Sequence, residues 1–463
     1  MINLSTLQLK MFHNGMIVGR IVTRNMATMP VDVPKKSYEL VIVGGGAGGI
    51  SIASRFVRYL RALKKPPNSI AVIEPRDTHF YQPLWTLVGA GIKDLSESGR
   101  PMAQVMPKGV DWIKEACSKI DPESKSVILS GATGTVNYRY LVVAAGINID
   151  WDKVEGLLPA LEQPNNGVCS NYSDRYVMRT WQTIKQFQGG NAVFTMPNTP
   201  IKCAGAPQKI MYLTDAHLCK NGVRDRTKIT YYTSLPAVFS SKPYSDALTE
   251  LCRKRDLNIM TRHNLVRVDS EKRLAYFEHL DRLDDPLSEV KYDMLHVTPP
   301  MSAPKFLKSL ANDTSNGFVA VDPQTLQHVQ YEDIFALGDC SSLPTSKTAA
   351  AIALQNSILA KNLLQYIQYK ESDNIGGSKL KFKAIYNGYS SCPIVTGNER
   401  CIMAEFDYDF KPLETFPFDQ SKERRTMFLT KKYMLPFVYW NAMLKGYWSG
   451  PSIFRKIMHL GFK

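Results

Sequence analysis

Tyr38 to Val43 is a short apolar, β-branched run that enters Gly44-Gly45-Gly46-Ala47-Gly48-Gly49 at once. Ile50-Ser51-Ile52-Ala53 then opens a helical pattern, so this stretch predicts strand, Gly-rich turn and helix. A second apolar run, Ile70 to Ile73, predicts a strand stopped by Glu74, a longer interval from Gly44 than such units usually show. The Lys64-Lys65-Pro66-Pro67-Asn68 loop accounts for that interval. Tyr138 to Gly146, Asn191 to Met196 and Ile334 to Asp339 are further apolar strand patterns, and a helix is expected from Lys347-Thr348-Ala349-Ala350-Ala351. The pattern as a whole predicts an α/β fold.

The first unit has the chemistry of a dinucleotide cradle. Gly44 permits the tight turn, Gly46 lets the backbone approach a pyrophosphate, and Gly49 lets the helix lie close to the strand. The helix start offers free N–H groups to the phosphates, and Glu74 is placed to accept from ribose hydroxyls. The strand ending at Gly146 and the one stopped by Gly338-Asp339, followed by a helix, argue for FAD over NAD: Asp339 suits the ribityl chain and the helix start suits the flavin ring. The middle strand is followed not by a second Gly-x-Gly but by Pro197-Asn198-Thr199-Pro200-Ile201-Lys202-Cys203-Ala204-Gly205-Ala206-Pro207. A nicotinamide site is therefore expected to be lost there, with a thiol in its place. The fold class is two Rossmann-like domains, an FAD domain and a degenerate NAD-like one, with a helical tail.

At 463 residues the chain has room for two to three domains. The expected boundaries are 1–37 as a mitochondrial presequence, 38–150 and 315–370 as the FAD domain, and 151–314 as the second domain with Cys203. Region 371–426 carries Cys392, and 427–463 forms membrane-associated helices. The net charge of +15 sits largely at the ends. Residues 1–37 hold Lys10, Arg20, Arg24, Lys35 and Lys36 against Asp32 alone, which fits an acid-poor transit peptide or a plain N-terminus. Residues 427–463 hold six Lys and Arg and no acid. The nearly balanced body argues against a nucleic-acid partner.

In that tail Phe428, Leu429, Tyr433, Met434, Phe437, Tyr439, Trp440, Met443, Leu444, Tyr447 and Trp448 interleave with Lys431, Lys432, Lys445, Arg455 and Lys456. Pro436, Gly446 and Pro451 are expected to break it into short helices lying in a membrane interface. A helix pair packed on the core, or on a second copy in a homo-oligomer, would carry the same pattern.

The eight cysteines show no CxxC and no zinc spacing, so no metal site is expected. Cys203 follows Lys202 on a loop that opens a helix, a setting that lowers a thiol pKa. Cys392 lies far along the chain from it, after a loop and before an apolar strand. The residues alone leave both open, as redox thiols or as core thiols, and the remaining cysteines read as structural.

Phe80-Tyr81-Gln82-Pro83-Leu84-Trp85-Thr86, the run from Thr199 to Lys209, Leu295 to Met301, Thr345 to Ala350, and Thr415 to Glu423 resemble the mitochondrial sulfide:quinone oxidoreductase family, from about Tyr38 to the C-terminus. The resemblance implies that Cys203 and Cys392 are the redox pair, resting as a disulfide or trisulfide. It implies FAD contacts at Ala47, Gly48, Glu74, Gln82, Asp339, Lys347, Thr348, Ala349 and Ala350, and at Cys117 through its backbone. It further implies oxidation of hydrogen sulfide through a persulfide and transfer of two electrons to ubiquinone. Glutathione or sulfite would take the sulfur, on the matrix side of the mitochondrial inner membrane. A type II NADH:quinone oxidoreductase-like flavoenzyme is the alternative, opposed by the missing second Gly turn; a non-catalytic flavoprotein-like scaffold is opposed by the FAD signals and thiols.

Overall fold

Strand β1 (Ser37–Val43) is apolar on both faces because it lies between two parallel neighbours in the middle of a covered sheet, with Val41 and Ile42 fully buried. The computed structural model describes residues 36–62, 64, 69–372 and 380–461, and the expected presequence falls almost wholly outside them. After β1 come α1 (Ala47–Ala62), β2 (Ile70–Ile73), β3 (Asp111–Ile113), β4 (Cys117–Asp121), β5 (Ser126–Leu129) and β6 (Thr135–Val143). The chain then runs through β7 (Val168–Cys169), β8 (Gly190–Met196), α2 (Ala206–Lys220), β9 (Thr227–Thr233), β10 (Asn258–Met260) and β11 (Met294–His296). It closes with β12 (Ile334–Ala336), α3 (Ala349–Glu371) and the hairpin β13 (Ser390–Gly397) and β14 (Arg400–Phe406).

The first sheet has the order β3-β2-β1-β6-β5-β4, and β12 pairs with the end of β6. Its central pairings are parallel, with Val41 opposite both Ala71 and Leu141. The second sheet, β7-β11-β8-β9-β10, is parallel throughout. Parallel sheets put ligand crevices outside the carboxyl ends of their strands. β1, β6 and β12 all end at one such crevice, and the turn after β8 also reaches it.

The tail departs from the expected short helices. Helical turns run without a break from Arg425 to Met443, and Thr430–Met434 and Tyr439–Met443 are wide, i→i+5 turns. Such a turn ahead of Pro436 relieves the clash between a proline ring and the carbonyl four residues back. A separate helix spans Ser452–Met458. Half of the tail is core: Met427, Phe428, Tyr439, Trp440, Met443 and Leu444 are buried with Tyr81, Leu84 and Ile50. The other half, including Phe437 (67% exposed), Ile457 (64%) and Leu460 (84%), faces outward. Helix α1 ties the tail down from beneath: Ser54 Oγ donates to the Leu444 carbonyl at 2.6 Å, Arg55 to that of Trp448 at 2.6 Å, and Arg58 to that of Gly446.

Candidate active site

One cavity of about 800 Å³ joins three regions of the chain. Its floor is the turn after β1, with Gly44, Gly46, Ala47 and Gly48, together with Glu74 and Gln82. Asp339, Lys347, Thr348, Ala349 and Ala350 form one wall, and Cys203 and Lys209 another. Apolar tail residues, among them Leu435, Val438, Trp448 and Phe454, line its far end.

The floor fits a dinucleotide. Gly44 has φ +104°, and a Cβ there would stand 2.4 Å from the Ala144 carbonyl oxygen, so only glycine turns the chain here. Gly46 has no atom within 4 Å of a Cβ position, leaving its backbone bare toward the cavity. Gly49 does not reach the cavity lining; it is packed against the Gly44 carbonyl. The Glu74 carboxylate accepts from the Gly45 and Arg76 N–H groups at 2.8 Å each, which fixes it at the end of β2 with acceptor capacity to spare. Asp339 has a buried Oδ1 with no hydrogen-bond partner, and burial raises its pKa against the pull of Lys347 and Lys202. A hydroxyl-rich chain is the kind of partner such an oxygen needs. Thr348 caps α3, accepting from the Ala351 N–H at 3.1 Å, while Lys347 donates to the Asp339 and Ser341 carbonyls at 2.7 and 3.0 Å. Cys117 lies at the start of β4 with its thiol toward the Lys119 carbonyl, and it is not among the cavity-lining residues.

Cys203 sits at φ +59°, where its N–H donates to the Lys347 carbonyl at 2.8 Å. That bond pins the thiol turn to the segment entering α3. Cys392 lies inside β13, not before it as the sequence pattern predicts, and its sulfur is 3.5 Å from that of Cys203. Gly205 makes the approach: a Cβ there would stand 2.5 Å from the Cys392 sulfur. Two thiols far apart along the chain are thus neighbours in the fold.

The cation beside Cys203 is not its neighbour in sequence. Lys202 forms a parallel bridge with Lys347, which turns its side chain away, and donates to Gln82 Oε1 at 2.8 Å. Lys209, one turn into α2, points its ammonium at the Cys203 sulfur from 3.2 Å. The hydrogen bond from Cys392, aided by Lys209 and opposed by burial, holds the Cys203 pKa well below the usual thiol value. Burial opposes the charge on Lys209, but the two sulfurs outweigh it and raise its pKa. Burial instead pushes Cys252 and Cys340 up to about 11 and Cys117, Cys169 and Cys401 up to about 12. Cys203 is thus the one thiol among these whose pKa is lowered.

Sequence reasoning missed further groups. Lys431, read as an interfacial cation, is buried instead, donating to the Pro83 carbonyl at 2.8 Å, and burial lowers its pKa to about 8. His79 joins the Gly turn to the tail: Nδ1 lies 3.0 Å from the Gly45 carbonyl and Nε2 2.6 Å from the Tyr439 hydroxyl. Burial lowers the His79 pKa to about 4, so the ring is neutral, donates from Nδ1 and accepts at Nε2. No periodicity signals these contacts, since the partners come from distant segments.

The sequence profile of the pyridine nucleotide-disulphide oxidoreductase family matches residues 38–180. A mitochondrial sulfide:quinone oxidoreductase of Mus musculus is 48% identical over 92% of this chain and 91% of its own. The Dictyostelium discoideum protein of the same name is 43% identical over 90% and 88%. In fold, the chain is similar to the sulfide:quinone oxidoreductase of Aquifex aeolicus, with a TM-score of 0.71, 18% identity, and coverage of 93% and 96%. Membership at this level implies a flavin cofactor, and with the identity sustained over almost the whole length, the chain belongs to the mitochondrial sulfide:quinone oxidoreductase family.

Proposed function

We propose that this protein oxidises hydrogen sulfide at the Cys203–Cys392 pair and delivers the electrons through FAD to ubiquinone. The observation that carries the reading is the shared cavity: Cys203, whose sulfur lies 3.5 Å from that of Cys392, meets a dinucleotide cradle and an apolar tail in one space. FAD, bound along the Gly turn with Glu74, Gln82, Asp339 and the start of α3 around it, supplies a two-electron acceptor. The chain does the sulfur chemistry. Hydrosulfide attacks one sulfur of the oxidised pair; the S–S bond breaks, a persulfide forms on one cysteine and the other leaves as thiolate. Lys209 stabilises that thiolate when it is Cys203. A small nucleophile such as glutathione or sulfite takes the outer sulfur, and the remaining two thiolates give up two electrons as the bridge re-forms.

The exposed half of the tail supports peripheral docking on a membrane, which in this reading is the inner mitochondrial membrane, on the matrix side. Tyr433, Phe437, Tyr447, Ile453 and Leu460 stand out beside Lys432, Lys445 and Lys456. Among the described residues no helix is long and apolar enough to cross a membrane. The apolar end of the cavity against the tail gives a quinone its route from lipid.

Anaerobic titration with sulfide tests this reading. Flavin absorbance should bleach with sulfide and recover on adding a short-chain quinone, and NADH should leave it unchanged. Bleaching by NADH but not by sulfide would refute the proposal.

A further inference from the structure

Lys202 is the neighbour of Cys203 in the chain, yet its ammonium serves no thiol. The sulfurs of Cys203 and Cys392 act on the charges of Lys209 and Lys431, whereas the charge of Lys202 answers to Asp339, Arg76 and Asp174. Its ammonium donates to Gln82 Oε1 at 2.8 Å and stands 5.4 Å from the centre of the Trp85 ring, and all three side chains line the cavity. An ammonium offers three N–H donors. Among the described residues Gln82 takes one of them, and no carboxylate forms an ion pair with Lys202. Asp339 does not close that gap, since its own buried Oδ1 is without a hydrogen-bond partner. Burial lowers the Lys202 pKa to about 8 against the pull of Asp339. A cation drawn out of water and left unpaired is unfavourable, so such a side chain marks a place where an anion completes it.

Position says which anion. Asp339 suits the ribityl chain, and Glu74 suits the ribose of the adenosine half; Arg76 stands at that second end, its N–H donating to Glu74 Oε1 at 2.8 Å. The diphosphate is the part of FAD between the two. Lys202 answers to charges at both ends, which puts its ammonium at the middle. Gln82, which anchors it, follows closely on His79, whose Nδ1 lies 3.0 Å from the Gly45 carbonyl, so the anchor stands near the Gly turn. The other cavity cations are engaged elsewhere. Lys209 faces Cys203, Lys347 donates to two carbonyls, Lys431 donates to the Pro83 carbonyl, and Arg76 is paired with Asp174 at 3.2 Å.

We propose that Lys202 reaches in from the second domain to bind the FAD diphosphate, as the cationic counterpart to the backbone cradle of the Gly turn. The proposal rests on FAD being the cofactor of the proposed function, and adds to its site a residue that the Gly-turn signature does not contain. It also ties the cofactor to the sulfur chemistry: Lys202 and Cys203 are consecutive, so the contact that holds the diphosphate steadies the thiol turn.

The test is release of flavin from the FAD-loaded enzyme, followed by the fluorescence of flavin set free on dilution, with phosphorus NMR of the bound cofactor beside it. Lys202→Met should speed release roughly ten- to hundredfold, the loss of a charge-assisted hydrogen bond, and should shift the diphosphate resonances. Lys202→Arg, which keeps the charge, should recover most of the retention. Folded but colourless Lys202→Met protein beside a yellow Lys202→Arg is the same result at its limit, and Lys202→Gln answers the question should Lys202→Met fail to fold. Release at the wild-type rate, or faster release with unmoved phosphorus resonances, would overturn the contact. A raised sulfide KM with flavin release unchanged would also overturn it, by assigning the ammonium to hydrosulfide. Wild-type holoenzyme inert to sulfide would refute the function and leave this contact standing.

Discussion

Replacing Lys209 by Met keeps the length of the side chain and removes the charge that faces Cys203. At 3.2 Å and an effective dielectric constant of about 20, the ceiling on that attraction is about 5 kcal/mol. The net worth of a charge-assisted hydrogen bond after desolvation is about 2 kcal/mol. Spread over the barrier for release and re-donation of the thiolate, about 2 kcal/mol is roughly a thirtyfold loss of rate. The sign with pH is fixed by the depressed pKa of Cys203: the reactive anion is present above that pKa and lost below it. Removing Lys209 moves this limit upward, so the deficit should be largest in acid and shrink as pH rises. Stopped-flow flavin reduction by sulfide, run beside the pH profile of iodoacetamide alkylation on the reduced protein, reads both effects. Lys209→Arg should recover much of the rate. Flavin reduction at the wild-type rate, or a deficit identical at every pH, would refute the assigned role.

Three further outcomes follow from the geometry. Gly205→Ala puts a methyl group where 2.5 Å separates its position from the Cys392 sulfur, so the sulfurs should part; thiol titration after mild oxidation should find both cysteines still free, with flavin retained. Phe437→Glu with Ile457→Glu, both on the outward half of the tail, should abolish sedimentation with anionic liposomes while the folded enzyme keeps its flavin. His79 has a folded pKa of about 4 against 6.5 for the free side chain, so it takes up a proton on unfolding within that window; stability should fall by about 3 kcal/mol as pH drops from 6.5 to 4, and His79→Gln should flatten that slope in urea midpoints.

The dinucleotide unit could be read from the chain because its signals are local. A β-branched run, a turn that only glycine can make and an amphipathic helix follow one another directly between Ser37 and Ala62, and the strands at 37–43 and 70–73 fall where the pattern puts them. The thiol turn was legible for the same reason: prolines replaced the glycines that a second cradle requires. What escaped is what the fold alone assembles. The register of Lys202 with Lys347 decides which lysine meets Cys203, and adjacency in sequence pointed to the wrong one. Cys392 reaches its partner through a hairpin that no spacing announces. Pro436 signalled a helix end, but wide turns absorbed it, and the tail's amphipathic pattern hid that one of its lysines faces inward.

The His79 bridge sets an order of assembly. Tyr439 is synthesised long after Gly45, yet its hydroxyl closes the chain of contacts that ends on the Gly45 carbonyl. A polypeptide emerging from synthesis or import therefore has its phosphate loop before it has the prop behind that loop. Nonsense or frameshift alleles that stop the chain shortly before Tyr439 should present as cofactor-deficient protein, whatever they do to membrane association.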